Sequence, residues 1–92
     1  MQARQFTEDE VRQEIRNLIA AVTERSPDEI LDSASFTGEL GVDSLMAMEM
    51  MVAVDKKFKI DVPEEEFMKA VNVDEAVATV RRYLPSTEVV VA

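Results

Sequence analysis

Apolar residues recur at intervals of three and four residues through several stretches of this chain, and prolines separate the stretches. That spacing places apolar side chains on one face of a helix, whereas a half-buried strand would alternate them with polar residues. In the first stretch the apolar stripe consists of Val11, Ile15, Leu18, Ile19 and Val22. The pattern therefore predicts an all-helical fold whose first helix runs from about Glu8 to Glu24.

Signals at both ends support this first helix. Thr7 followed by Glu10 is the pattern of a capping box. In this motif the threonine hydroxyl accepts the backbone N–H of the glutamate three residues on, and the glutamate carboxylate accepts the backbone N–H of the threonine. Ser26 and Pro27 mark the end of the helix and the start of a short turn. A long connection follows, from about residue 28 to residue 42. We expect its apolar residues to attach it to the core, and these are Ile30, Leu31, Phe36 and Leu40.

The second helix is predicted to begin at Asp43-Ser44 and to continue to Phe58, because this stretch contains no Pro or Gly. It has two apolar faces. The first, expected to face the core, consists of Met50, Met51, Val54 and Phe58, and the second consists of Leu45, Met48 and Val52. Spacing alone leaves two interpretations of the second face. The helix is either buried nearly all round, or it presents a half-exposed apolar strip that suits a partner.

Two further helices complete the prediction. Pro63 precedes a short third helix that starts with three glutamates, buries Phe67 and ends near Ala70. Asn72 caps a fourth helix that Pro85 ends. Its apolar face consists of Val73, Ala76, Val77, Val80 and Leu84. We expect one domain over residues 7–85, with flexible segments at residues 1–6 and 86–92.

The charge of the chain restricts its partners. Ten basic residues stand against nineteen acidic ones, for a formal net charge of -9, which repels nucleic acid and anionic membranes and favours basic protein partners. No apolar run reaches the ~20 residues needed to cross a bilayer, and the start lacks the apolar stretch of a signal peptide. We therefore expect a monomeric cytoplasmic protein that binds neither nucleic acid nor membranes.

Missing residue types restrict the chemistry. The chain has no histidine and no cysteine, so it lacks the commonest general base and the usual zinc ligands. Its carboxylates remain available for acid–base catalysis, but on a small open domain most are expected to be solvated. We expect neither catalytic residues nor a metal site. A minor enzyme that uses paired carboxylates is the alternative, and it would be active as the isolated, unmodified chain.

One motif lies where the long connection meets the second helix. Residues 40–45 read Leu-Gly-Val-Asp-Ser-Leu and are followed by Glu49. The motif resembles the LGxDSLxxxE signature of acyl carrier proteins, and the resemblance extends over about residues 6–84. It includes Ala34-Ser35-Phe36, Lys57-Phe58 and Val62-Pro63. The resemblance implies a four-helix acyl-carrier-type bundle with a long first loop and a short third helix.

The resemblance also implies a covalent cofactor. In acyl carrier proteins, the serine at the start of the second helix takes a 4'-phosphopantetheine group from coenzyme A, which implies attachment at Ser44 with Asp43 and Leu45 beside it. A phosphodiester there would lie near unpaired backbone N–H groups and the positive end of the helix dipole. Asp43 can cap the helix, and by resemblance it helps the modifying transferase and its metal to engage the site. The thiol of the arm carries acyl groups as thioesters, which a cysteine-free chain cannot do.

By the same resemblance, the second helix docks on basic patches of partner enzymes. The implied partners are a phosphopantetheinyl transferase and ketosynthases, acyltransferases or other acyl-processing enzymes of polyketide, fatty-acid or specialised lipid biosynthesis. The implied contact residues are Asp43, Leu45, Met46, Met48, Glu49, Val52, Asp55 and Lys56. Attraction of this kind speeds encounter and weakens as salt is added.

Two departures from the family pattern, and one residue that keeps to it, affect the expected pathway. Met46 stands where bacterial fatty-acid carriers usually have an acid, and the helix ends among Lys56, Lys57 and Lys59. Both favour a specialised carrier over the housekeeping fatty-acid role. Asp43 rather than histidine before the serine favours acyl over aminoacyl cargo. Two alternatives stay open: a carrier domain from a larger synthase, and a helical interaction module that docks through the Met-rich second helix without an arm.

Overall fold

The computed structural model describes residues 6–84, in which four α-helices and a single 3₁₀ turn follow one another. The helices are α1 (Glu8–Thr23), α2 (Ser44–Phe58), α3 (Glu64–Met68) and α4 (Val73–Tyr83), and the 3₁₀ turn (Pro27–Glu29) follows α1. No strand occurs in this part of the chain. The predicted all-helical fold is confirmed. Our expectations for residues 1–5, Pro85 and residues 86–92 lie outside the described residues.

The helices begin where capping chemistry predicts. Thr7 Oγ1 accepts the N–H of Glu10 at 3.1 Å, and the Glu10 carboxylate accepts the N–H of Thr7 at 3.0 Å, which completes the predicted capping box. Asn72 Oδ1 accepts the N–H of Glu75 at 2.9 Å at the start of α4. The helix α1 ends one residue earlier than predicted, because Glu24 adopts a left-handed conformation with φ 59° and donates its N–H to earlier carbonyls.

The core forms around α1, which packs against α2 and α4. Ile15 and Ile19 of α1 are completely buried, and truncation of either to alanine would cost ~2–5 kcal/mol. The same core contains Met50, Val54 and Phe58 of α2, Phe67 of α3, and Val73, Ala76, Val77 and Val80 of α4. Phe6, which precedes the predicted domain, contacts the ring of Phe58 edge to face at a centroid distance of 4.7 Å.

The long connection between α1 and α2 contributes to the core rather than passing over it. Its buried residues are Ile30, Ala34, Phe36, Leu40 and Val42. Two backbone hydrogen bonds attach it to the start of α4: Phe36 N–H donates to the Val71 carbonyl at 2.8 Å, and Asp74 N–H donates to the Asp32 carbonyl at 3.2 Å. The prediction for Leu31 was wrong, since this side chain is 66% exposed. The 3₁₀ turn directs Ile30 inward, and the next side chain along the chain therefore points outward.

Arg12 connects three segments of the fold. Its guanidinium donates to Glu8 at 2.8 Å, to Asp32 at 3.1 Å and also to Asp74. Arg16 adds a second ion pair to Asp32. Hydrogen bonding to Asp74, together with that to Glu8, raises the pKa of Arg12 above its ordinary value. These charges attach the long connection and the start of α4 to α1.

Candidate functional site

Asp43 and Ser44 lie next to each other at the start of α2, but in different surroundings. Asp43 is the N-cap: its carboxylate accepts the N–H of Met46 at 2.9 Å, and its carbonyl accepts the N–H of Ala47 at 3.0 Å. Ser44 is exposed, and its hydroxyl makes no hydrogen bond to any residue in the range 6–84. Because Asp43 caps the helix, the Ser44 hydroxyl is available for chemistry at the surface.

The backbone before α2 fixes the direction in which these two residues emerge. Leu40 and Val42 are buried on either side of Gly41, and the N–H of Val42 donates to the Phe36 carbonyl at 2.8 Å. Gly41 has a φ of 73°, a left-handed conformation that costs other residues ~1–2 kcal/mol. The turn before α2 therefore favours glycine at this position.

A cavity of about 190 Å³ opens beside Ser44 between α2 and α3. It is lined by Phe36, Thr37, Val42, Asp43, Ser44, Ala47, Met50, Phe67, Met68 and Ala70. Met50 and Phe67 are buried and form its inner wall, whereas Thr37, Asp43 and Ser44 are exposed and lie at its open side. The volume equals that of about six water molecules at ~30 Å³ each. The cavity is therefore large enough for a small apolar group next to the serine.

The second apolar face of α2 lies at the surface. Leu45 is 65% exposed, Met48 41% and Val52 50%. We call these three residues the α2 strip. The interpretation of a half-exposed apolar strip is confirmed, and the alternative of a helix buried nearly all round was wrong, since this face of α2 has no element packed over it in the described chain.

The predicted contact residues around this strip are not equally available. Glu49 and Lys56 are exposed beside the strip. Met46 is half-buried and packs against the core. Asp55 is also half-buried, and its carboxylate accepts the N–H of Val62 at 3.1 Å, so this side chain holds the connection between α2 and α3. The structure thus gives Met46 and Asp55 structural roles that periodicity alone did not reveal.

Sequence reasoning missed most of the cavity. Thr37, Ala47, Phe67, Met68 and Ala70 come from three separate segments, and no local motif connects them with Ser44. Only the packing of α3 against α2 brings these residues together.

Comparison with known proteins identifies the family to which this site belongs. Residues 13–80 match a family described as "Phosphopantetheine attachment site". An acyl carrier protein from Chloroherpeton thalassium is 34% identical over 72 residues, which cover 78% of this chain and 90% of that protein.

Solved structures share the fold. A structure titled "Mupirocin didomain ACP" has a TM-score of 0.76 and 26% sequence identity, and the match covers 94% of this chain and 46% of that one. The solution structure of an apo doublet acyl carrier protein from prodigiosin biosynthesis has a TM-score of 0.71 at 18% identity, with coverages of 91% and 40%. The present chain spans less than half the length of these solved chains.

The start of α2 fits the cofactor of this family. It presents an exposed hydroxyl, and the N–H groups of Ser44 and Leu45 have no hydrogen-bond partner among the described residues. Free N–H groups at a helix start suit the phosphodiester, and the apolar cavity lies alongside. No helix of the described chain is both long and apolar enough to cross a membrane. On the family match and the curated relative, this chain belongs to the acyl carrier protein family, whose members hold a covalently attached 4'-phosphopantetheine.

Proposed function

We propose that Ser44 is the residue that carries the 4'-phosphopantetheine arm, and that the chain delivers acyl intermediates to partner enzymes without catalysing a reaction itself. The observation that supports this is the exposed, uncommitted hydroxyl at the start of α2, inside the residues that match the attachment-site family. When bound, the arm supplies a thiol that holds acyl groups as thioesters.

Attachment at Ser44 is a phosphoryl transfer. Ser44 Oγ forms a bond to the phosphorus of coenzyme A that bears the pantetheine, and the bond from that phosphorus to the bridging pyrophosphate oxygen breaks. Adenosine 3',5'-bisphosphate leaves with the electron pair, and the hydroxyl proton passes to a base of the transferase. Asp43 holds the first turn of α2 in place through Met46, so that the free N–H groups face the phosphodiester that forms.

Intact mass spectrometry tests the attachment. We expect one phosphopantetheine to be added to the purified chain by coenzyme A, magnesium and a broad-specificity phosphopantetheinyl transferase, and no addition in Ser44→Ala. Ser33→Ala is the matched control, because Ser33 is an exposed loop serine, and this variant should be modified as the unaltered chain is. Modification of Ser44→Ala would contradict the proposal. So would an unmodified, folded parent chain after trials with several transferases.

The α2 strip and its neighbouring charges support a role in docking. Exposed apolar residues flanked by Asp43, Glu49 and Lys56 suit transient contact with a transferase, a ketosynthase or an acyltransferase. Met48 can adapt to surfaces of several shapes. The armless interaction module would use the same strip, and it predicts that Ser44→Ala leaves function intact.

We further place the chain in polyketide or specialised lipid biosynthesis. The lysines at the end of α2 depart from the acidic pattern of bacterial fatty-acid carriers, and a solved neighbour at 26% identity is titled "Mupirocin didomain ACP". The proposal includes a cytoplasmic location, where coenzyme A is available. Loading by ketosynthases and acyltransferases of each pathway, compared as kcat/KM, would distinguish polyketide from fatty-acid partners.

A further inference from the structure

Unpaired basic residues gather at the end of α2. Among residues 6–84, the basic side chains in ion pairs are Arg12, Arg16, Lys69, Arg81 and Arg82. Lys56, Lys57 and Lys59 form no ion pair within this range. In a chain with a net charge of -9, these three lysines are a local concentration of positive charge, which suits an anion.

Only Lys56 continues the α2 strip. Leu45, Met48, Val52 and Lys56 follow one another at intervals of three, four and four residues. At ~100° per residue they fall within about 80° of the helix surface. Lys57 lies ~100° further round the helix, and Lys59 lies beyond its last residue, in a left-handed conformation. Lys56 is therefore at the far end of an exposed apolar line that begins beside Ser44.

The length of this line matches the reach of a pantetheine arm. Lys56 lies twelve positions after Ser44, a rise of ~18 Å at ~1.5 Å per residue. About fourteen bonds separate Ser44 Oγ from the thiol, and an extended chain at ~1.2 Å per bond spans ~17 Å. Three more bonds place a carboxylate at the end of a short acyl group ~20 Å from Ser44, within reach of the flexible Lys56 side chain.

Charge decides which acyl groups suit this path. The lining of the cavity beside Ser44 includes the acidic residue Asp43 and no basic residue. A carboxylated acyl group placed there would lose hydration next to a like charge. The path along the α2 strip leads instead to the ammonium group of Lys56, which has no ion-pair partner among residues 6–84. Glu49 lies two helical turns before Lys56, so it does not face the end of the extended arm.

We propose that Lys56 binds the free carboxylate of an acyl group of the malonyl class, a half-thioester of a dicarboxylic acid, while the arm lies along the α2 strip. This inference rests on the proposed attachment at Ser44. It names the class of acyl group that the carrier holds when no enzyme is bound to it. An enzyme that docks on the strip displaces the cargo from Lys56 and receives it. An exposed ion pair raises the ratio of bound to unbound cargo by roughly one-and-a-half- to fivefold. An enzyme can therefore displace the cargo from Lys56 at little cost in free energy.

Nuclear magnetic resonance of two matched cargoes tests the inference. The transferase loads the full chain from coenzyme A analogues with amide-linked malonyl or acetoacetyl groups, which are similar in length and differ in charge, and intact mass verifies loading. We expect the amide shifts of residues 52–56 to differ between the two cargoes. The difference should fall to less than half in Lys56→Gln and persist in Lys56→Arg. Lys57→Gln is the control on the other side of α2, and it should also keep the difference.

A second readout follows the cargo itself. A ¹³C-labelled malonyl carboxylate should titrate with a lower pKa on the unaltered chain than on Lys56→Gln, since an adjacent ammonium group favours the charged form. Equal pKa values, equal shift differences in Lys56→Gln, or differences centred on Ala47, Phe67 and Met68 of the cavity would each overturn the inference while leaving the attachment intact. A chain that stays unmodified would overturn both.

Discussion

Asp43 and Ser44 are neighbours with different roles: Asp43 caps α2, whereas Ser44 presents an exposed hydroxyl. The sequence predicted the pair and its place at a helix start, because the stretch from Asp43 to Phe58 contains no Pro or Gly. It could not assign the cap, since serine and aspartate are both preferred N-cap residues. The structure assigns the cap through the hydrogen bond from Met46 N–H to Asp43.

Replacement of the cap should change stability. We expect Asp43→Ala to lose about 1 kcal/mol of unfolding free energy, which lowers the melting temperature of a domain of this size by ~4–8 °C. Circular dichroism during heating measures the change. Asp61→Ala provides the control, because Asp61 is exposed in the connection between α2 and α3 and should melt like the parent chain. If Asp43→Ala kept the parental melting temperature, another group would have to cap α2.

The helix α2 shows where local patterns stop predicting structure. The residues at which α2 begins and ends followed from its composition. The sequence could not decide which of its two apolar faces is buried, because either could have faced the core. The long connection settles the question: Phe36, Leu40 and Val42 fill the core, and no other part of the described chain covers Leu45, Met48 and Val52. The prediction that Leu31 faces the core was wrong for the same reason. Tertiary contacts set the backbone turn at this point, and the turn decides whether Ile30 or Leu31 points inward.

An acidic residue in the α2 strip should weaken docking without unfolding the chain. In Met48→Glu we expect the KM for arm transfer by the phosphopantetheinyl transferase to rise about five- to tenfold, equivalent to ~1 kcal/mol or more of lost binding. The melting temperature should stay nearly unchanged, because Met48 is 41% exposed.

A matched change separates docking from general surface effects. Leu31→Glu alters another exposed apolar residue, in the connection bound to the start of α4, and should leave the KM unaltered. Steady-state kinetics of the three proteins, with thermal melts, provide the comparison. Equal loss of stability and docking in Met48→Glu would show that Met48 serves the core.

On the scale of the whole molecule, contacts distant in sequence hold the fold together. The capping box and the start of α3 after Pro63 both depend on neighbouring residues, and each was predicted. The Arg12 ion pairs join residues 20 and 62 positions apart in the chain, and the cavity gathers three segments. No local pattern encodes such pairings, so they required the structure.

Loss of the Arg12 network should destabilise the fold in a salt-dependent way. We expect Arg12→Gln to cost about 1–2 kcal/mol, because three partly exposed ion pairs are worth up to ~1 kcal/mol each. Urea unfolding in low salt and in 1 M sodium chloride measures this loss of unfolding free energy. The loss should be smaller in high salt, where the Debye length is ~3 Å.

Arg81→Gln is the control, since within the described residues Arg81 pairs with Glu8 alone, and it is more exposed than Arg12. Its cost should stay below ~0.5 kcal/mol. Because the pKa of Arg12 is raised, its contribution is complete below the unfolded pKa and disappears only as pH rises through the folded pKa, in strong alkali. Equal costs for the two arginines, or a cost that salt does not change, would show that Arg12 acts through packing.

The antiparallel pairing of α1 and α4 has a mechanical consequence. Glu8 at the start of α1 meets Arg81 at the end of α4 at 3.2 Å, while Arg12 meets Asp74 one to two turns further along the pair. Tension applied between residues 8 and 81 therefore loads these contacts one after another, from that end inward. The two helices peel apart under a small force instead of shearing together, so the domain is mechanically soft when it is stretched along this direction.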